Sequence, residues 1–376
     1  MIALEVGGVP FTNFLSMTIK KSMEDLSGTF NFRASNADKT TFPIKAGDAV
    51  KITYYNSKNK PFVLITGFVD MITPSVDPNS HDVYIQGRDV TCDIVDSTLG
   101  EGSVIFNNEA TLTQIIQTAL ASIGSSIKII NQAGTITNPS SIERPQGQAG
   151  QGVFDFIEKQ ARLRAVLLTT DGLGNLIITR TGTDDSKFTI LNQYNNSKNN
   201  VLYSSATYDL SKRFNKYICV SQKNLVAMND SEEDSGQEDD AAANEIAIDN
   251  GIAYDKDIRA GRTLTLVVEN ASSSDQLTQR AKWEASVRKA RSLTYTASVY
   301  GMENPETNNV FVFNQLVNVI DDNEGLSVQM LIKSLVFTVE VDGGTTTQFE
   351  CVDRNAYSLD LNEPIFYNIQ DPYEAL

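Results

Sequence analysis

Histidine is almost missing from this chain: His81 is the only one in 376 residues. Any catalytic imidazole would have to be that residue, and it stands between Ser80 and Asp82 in a turn-like segment after Pro78, where an exposed loop histidine is expected. No GxSxG nucleophile elbow and no GxxxxGK[ST] phosphate loop is present. Cysteine is scarce too. Cys92, Cys219 and Cys351 lie far apart and form no CxxC pair, which argues against a disulfide framework and a zinc site. They read instead as small buried hydrophobes of a protein made in a reducing cytoplasm. Apolar runs such as Val63-Leu64-Ile65 and Leu335-Val336-Phe337 are far shorter than the ~20 residues that cross a bilayer. Met1–Val6 has no basic segment followed by an apolar core, and it alternates like a first strand, so neither a signal peptide nor membrane insertion is expected. Carboxylates are plentiful, but nothing in their spacing favours the paired acids of a glycosidase. The expectation is therefore no catalytic residue, no cofactor-binding residue, no metal ligand, and no enzyme.

Positive charge is also in short supply, with 31 basic against 47 acidic residues and a net charge of −16. Binding nucleic acid by neutralising phosphates needs clustered Lys and Arg, so that function is disfavoured. The balance fits plain solubility, or an acidic wall along which DNA slides without sticking. The longest acidic stretch, Asp230-Ser231-Glu232-Glu233-Asp234-Ser235-Gly236-Gln237-Glu238-Asp239-Asp240, contains no basic residue and reads as a surface loop spanning 228–245. Its alternate acids Asp230, Glu232 and Asp234 suggest calcium. An EF-hand, however, needs glycine where Ser235 stands and glutamate where Ala241 stands.

What the chain does have is β pattern. Ser27–Arg33 sets Phe30 and Phe32 on one face. Gly47–Tyr54, Phe62–Asp70 and Asp82–Gly87 follow, the first two divided by a polar turn at Asn56–Lys60. This reads as a small antiparallel barrel over 1–102. From 103 to 185 the pattern becomes α/β. Thr111-Leu112-Thr113-Gln114 fits a capping box, and Leu112, Ile115, Ile116, Ala119, Leu120 and Ile123 recur at helical steps before Gly124. A second helix starts near Gly152, with Val153, Phe156, Ile157, Gln160 and Ala161 on one side. It leads into a hairpin around Asp171-Gly172-Leu173-Gly174-Asn175.

Strands return over 186–355, predicted as a second barrel domain: Lys216–Gln222, Arg262–Val268, Thr294–Tyr300, and a hairpin from Leu335–Val341 through Asp342-Gly343-Gly344 to Thr345–Val352. Within it a long helix, 274–292, opens with a capping box at Ser273–Gln276. Its Arg280, Lys282, Arg288, Lys289 and Arg291 are interleaved with Glu284, which favours a solvated or interface helix over a phosphate-binding one. Residues 356–376 read as a C-terminal arm, with Phe366, Tyr367 and Tyr373 among polar groups. The fold class expected is mainly β with an α/β insert.

Gly87-Arg88-Asp89-Val90-Thr91-Cys92-Asp93-Ile94-Val95-Asp96-Ser97 resembles the Gly-Arg-…-Thr-…-Asp-Leu-Val-Asp motif of Mu-like contractile bacteriophage baseplate hub (tail hub) proteins. Val153–Arg164 with Leu173–Arg180 is similar to that family's middle section, and Leu277–Glu284 through Arg291-Ser292 to its Arg-Ala-x-Trp-Glu helix. Met330–Ile332 through Phe337-Thr338 to Thr347 resembles its closing hairpin. The matches run in order over about 60–350. The acidic loop and the aromatic arm have no counterpart there.

The resemblance implies two tail-tube-like antiparallel β-barrel domains and a homotrimeric ring in the virion, assembled in the host cytoplasm. Such a ring adapts the sixfold tail tube to the threefold central spike. The partners implied are the tail tube protein or a tube adapter, the central spike protein, baseplate wedge proteins and the tape measure protein, with DNA only as passing cargo. Two alternatives are a related hub or spike-base module of a tailocin or contractile secretion system, and a hub-associated cell-wall hydrolase. For the hydrolase the chain shows no segment with a lysozyme-like domain.

Overall fold

Alternation of period two governs the first section. Its strands are β1 (Ile2–Val6), β2 (Val9–Phe11), β3 (Phe14–Ser22), β4 (Thr29–Ser35), β5 (Ala49–Tyr55), β6 (Pro61–Val76) and β7 (His81–Asp89), followed by a short helix, α1 (Cys92–Asp96). In β4 the rings of Phe30 and Phe32 are buried while Thr29 and Asn31 face outward, as a half-buried antiparallel strand requires. The structure, a computed structural model, describes residues 1–12, 14–35, 44–77, 81–100, 104–105, 110–136, 145–221, 250–268 and 274–357. The acidic loop 228–245 and Ser273 lie outside these residues, as does the arm beyond Tyr357. His81 is not in a turn. It opens β7 and pairs with Val76, because the β6–β7 ladder continues that far.

The insert contains β8 (Val104–Ile105), α2 (Leu112–Ser122), β9 (Lys128–Asn131), β10 (Gln146–Gly147), α3 (Val153–Arg162), β11 (Leu167–Thr170) and β12 (Asn175–Thr179). The Thr111–Gln114 capping box forms. Ile115, Ile116, Ala119 and Leu120 of α2 pack against Val153, Phe156 and Ile157 of α3 and against Leu176 and Ile178 of β12. A parallel pairing of β12 with β9 completes the small sheet β11-β12-β9.

The third section comprises β13 (Asp185–Asn192), β14 (Val201–Tyr208), β15 (Lys216–Ser221), β16 (Asn250–Tyr254), β17 (Thr263–Val268), α4 (Ser274–Ala290), β18 (Leu293–Tyr300), β19 (Leu316–Asp321), β20 (Leu326–Glu340) and β21 (Gly344–Asp353). Strands β16, β15 and β17 form a separate sheet on α4, burying Tyr217 and Cys219 against Leu277, Ala281 and Ala285. The remaining strands run β14-β18-β21-β20-β19-β13 and curl back on themselves. Asn200, just before β14, latches onto β13 through Asn200 N to Leu191 O (3.1 Å) and Asn200 Nδ2 to Thr189 O (2.8 Å).

The two strand-rich sections are one continuous sheet. Ser334–Glu340 of β20 pairs antiparallel with Ser16–Ser22 of β3, joining both into a 13-stranded array. A single core runs beneath the seam, from Leu4 and Phe32 on one side to Tyr295 and Phe349 on the other. The protein is mainly β, with large antiparallel sheets and an α/β insert.

Candidate functional site: a polar joint beneath the Gly-Arg-Asp motif

Asp89, the last residue of β7, is fully buried. Its carboxylate accepts hydrogen bonds from Gly28 N (2.9 Å), Thr91 N (2.9 Å), Ser27 Oγ (3.0 Å) and Thr170 Oγ1 (2.7 Å). Thr91 Oγ1 sits between this carboxylate and the Leu26 carbonyl, 2.7 Å away. One side chain thus binds the approach to β4, the start of α1 and the end of β11. A buried carboxylate needs this many donors to offset its lost hydration.

The rest of the motif serves the same joint. A Cβ on Gly87 would stand 2.1 Å from Phe68 O and 2.3 Å from Phe30 Cζ, so only glycine lets β7 cross that ring. Arg88 clamps Asp96 (2.6 Å) and Asp70 (2.7 Å). The hydrogen bonds to Asp96 and then Asp70 raise its pKa further, and the Arg88 hydrogen bond holds Asp96 below the ordinary carboxylate range. Cys92 is buried at the head of α1, and burial pushes its thiol up to about 12. Burial likewise moves Cys219 up to about 11 and raises Cys351. Burial thus disfavours the thiolate form at all three.

Behind the joint, Lys21 of β3 donates to Asp171 O (3.0 Å) in the β11–β12 turn. Burial lowers its pKa to about 8, against the opposing pull of Asp171 and Asp89. It lines a cleft of about 710 Å³ where all three sections meet, together with Asp171, Thr181, Asp184, Phe313 and Asn314. Glu24 forms a second junction, with Arg291 Nε at 2.9 Å, Lys333 Nζ at 3.6 Å and Tyr357 Oη at 2.7 Å. Its burial opposes ionisation, but Lys333, the Tyr357 hydrogen bond and Arg291 together hold its pKa below the usual glutamate value. A third is the buried pair of Arg213 and Asp255 (2.7 Å), extended by Asp257 to Lys289 (3.0 Å).

These groups hold sections of chain together. His81 stands apart from them at the tip of the β6–β7 ribbon. Among the described residues no three His, Cys, Asp or Glu side chains converge to hold a metal ion, and no helix is long and apolar enough to cross a membrane. The charged face of α4 is used internally: Glu284 pairs with Arg280 (3.0 Å) and Arg288 (2.8 Å). Sequence reasoning missed Lys21, Glu24 and the reach of Asp89. The run Thr169-Thr170-Asp171-Gly172 beside the motif held a signal for the joint, but its meaning depends on pairing far along the chain.

The described residues thus form a continuous antiparallel sheet carrying an α/β insert, with buried charges spent on internal joints. Residues 1–89 match the family described as Mu phage baseplate assembly protein GpP-like, N-terminal, and residues 91–180 match Baseplate hub protein gp44-like, second domain. The chain is 21% identical over 360 residues to baseplate hub protein gp44 of Escherichia phage Mu, covering 95% of this chain and 88% of that protein. Among solved structures, the 43 kDa tail protein of prophage MuSo2 from Shewanella oneidensis shares 27% identity at a TM-score of 0.75, covering 94% of this chain and 98% of that one. A tail protein from Neisseria meningitidis MC58 shares the fold, at 17% identity and a TM-score of 0.73, over 96% and 98% of the two chains. The chain is thus similar to Mu-like baseplate hub proteins over nearly its whole length, and its first 180 residues match two domains of such proteins in order.

Proposed function

We propose that this protein is the structural hub of a contractile tail baseplate: a homotrimeric ring that adapts the sixfold tube to the threefold central spike and surrounds the channel for tape measure and DNA. The observation that carries this reading is the agreement of two adjoining domain families, in order, with a relative matched over 88% of its length and a solved tail protein of matching fold. Two barrel sections in each subunit would give three subunits six similar units around the axis, which suits a sixfold partner on one side and a threefold one on the other. The proposed division of labour is barrels at 1–102 and 186–355, a decorating insert at 103–185 and an arm at 356–376. Tube or tube adapter, spike, wedge and tape measure proteins are the partners proposed. DNA is cargo, with no specific contact.

In this reading the protein performs no turnover, which agrees with buried, high-pKa thiols. Light scattering of the purified protein followed by electron microscopy tests the assembly. Annular trimers are expected, and a monomer at all concentrations would overturn the hub reading. Clearing of a cell-wall zymogram by the pure protein would overturn the absence of turnover.

A further inference from the structure

The chain leaves the described fold inside a groove. Tyr357, the last described residue, is buried, with its ring 6.3 Å from that of Trp283 and its hydroxyl 2.7 Å from Glu24. It lines a cleft of about 140 Å³ between α3 and α4, together with Phe154, Arg162, Arg280 and Val287. Arg162 and Arg280 also line a second cleft, of about 220 Å³, whose other wall is Leu266, Val267 and Val268 of β17. The two clefts therefore form one groove. It is short: Trp283, beside Tyr357, and Leu277, under the small sheet, are about 9 Å apart along α4.

The β17 end of this groove suits an acidic, extended occupant. Lys159, Arg162 and Arg280 line it, and no carboxylate does among the described residues. Arg280 Nη1 is buried there without a hydrogen bond, although Glu284 Oε2 lies 3.0 Å away. A buried guanidinium N–H in that state lacks an acceptor. Strand β17 is also the outer strand of the small sheet, paired with β15 on one side and with no strand among the described residues on the other. Such an edge accepts an added strand through its backbone N–H and C=O groups.

The sequence beyond Tyr357 has the matching chemistry. Residues 358–376 carry Asp360, Glu363, Asp371 and Glu374 and no basic residue. Pro364 and Pro372 bracket the run Ile365-Phe366-Tyr367-Asn368-Ile369-Gln370-Asp371, rich in strand-forming residues and close in length to the 6 residues of β17. The stretch from Tyr357 to Ile365 spans up to about 27 Å, ample for the groove.

We propose that the groove holds the chain's own C-terminal segment, residues 358–376, with the run 365–371 added to the open edge of β17. Its acids then face Lys159, Arg162 and Arg280, and its backbone completes the small sheet carried by α4. The docked segment straps the insert to the third section, and this holds whether or not the protein forms a ring.

The test uses the full-length protein, whose own three cysteines are buried. Val267→Cys, exposed on β17, is combined with Tyr367→Cys; Gln117→Cys, on the exposed side of α2, with the same Tyr367→Cys is the control. Under mild oxidation the first pair is expected to close an intramolecular disulfide about tenfold faster than the control, through its higher effective concentration. Replacing the four acids of the segment by their amides should remove most of that advantage. Equal rates for the two pairs, or no disulfide between positions 267 and 367, would overturn the proposal. A disulfide-linked dimer would place the segment on a second copy and overturn it too. Independently, ending the chain after Tyr357 is expected to speed amide exchange in β17 by about tenfold while β9 is unaffected, and unchanged exchange in β17 would count against the docked strand as decisively.

Discussion

Asp89 illustrates how one residue fixes the junction of distant segments. Replacing it with alanine leaves the Gly28 and Thr91 amides and the Thr170 hydroxyl facing a void. Asp89→Ala is expected to lower the urea unfolding free energy by about 3 kcal/mol, since hydrogen bonds to charged groups are individually strong and their buried donors would go unpaired. Asp89→Asn should cost less, because one oxygen still accepts. Lys21 gives a prediction of the opposite sign. Its pKa falls from 10.5 to about 8 on folding, through burial. Between those values the unfolded chain holds the proton and the folded chain has released it, so raising the pH favours the folded state. Below pH 8 both states are protonated, and the folded state carries the full burden of a buried charge. That burden is about 3 kcal/mol from the size of the shift. Lys21→Met is therefore expected to raise Tm at pH 7 and to flatten the wild-type rise between pH 8 and 10.5. An unchanged Tm-versus-pH curve would show that Lys21 is well solvated.

At the scale of elements, local signals were legible and long-range partners were not. Helix α2 follows from its capping box and its three- and four-residue spacing, and of the six residues so identified five are buried, with Ile123 at the C-cap only partly so. The same holds for Val153, Phe156, Ile157, Gln160 and Ala161 of α3. Nothing local marks β3, β13, β14 or β19, whose apolar alternation is weaker and whose stability comes from neighbours. The pairing of Ser22 with Ser334 joins residues 312 positions apart, and no short-range pattern specifies such a contact. The Gly-Arg-Asp motif was legible as a family feature, whereas its physical reason, a ring under Gly87 and an acid serving three elements, appears only in three dimensions. Glycine gives a test at this scale. A Cβ on Gly251 of β16 would lie 1.9 Å from the Leu277 carbonyl carbon and 2.0 Å from Thr278 N, so β16 rests directly on the backbone of α4. Gly261 has nothing within 4 Å but a φ of +94°. Gly261→Ala should therefore cost only about 1 kcal/mol, from backbone strain. Gly251→Ala should cost more, by lifting the small sheet off the helix, seen as faster hydrogen exchange in β15 and β16 with the insert unaffected.

For the whole molecule, the decisive feature is the single core beneath the β3–β20 seam. Ile19 and Phe32 belong to the same buried cluster as Leu335, Phe337 and Phe349, whereas the insert has its own core around Ile116, Phe156 and Leu176. Cooperative units follow shared buried surface, so the two strand-rich sections are expected to unfold together and the insert to be separable from them. Phe337→Ala, which removes a fully buried ring, should lower global stability by about 3–5 kcal/mol. In native-state hydrogen exchange its effect should spread equally to β4 and β7 on one side and to β18 and β21 on the other. Ile116→Ala should raise exchange within α2, α3 and β12 while leaving β4 and β21 protected. A Phe337→Ala protein in which β4 and β7 keep full protection while β18 and β21 open would show two independent barrels side by side.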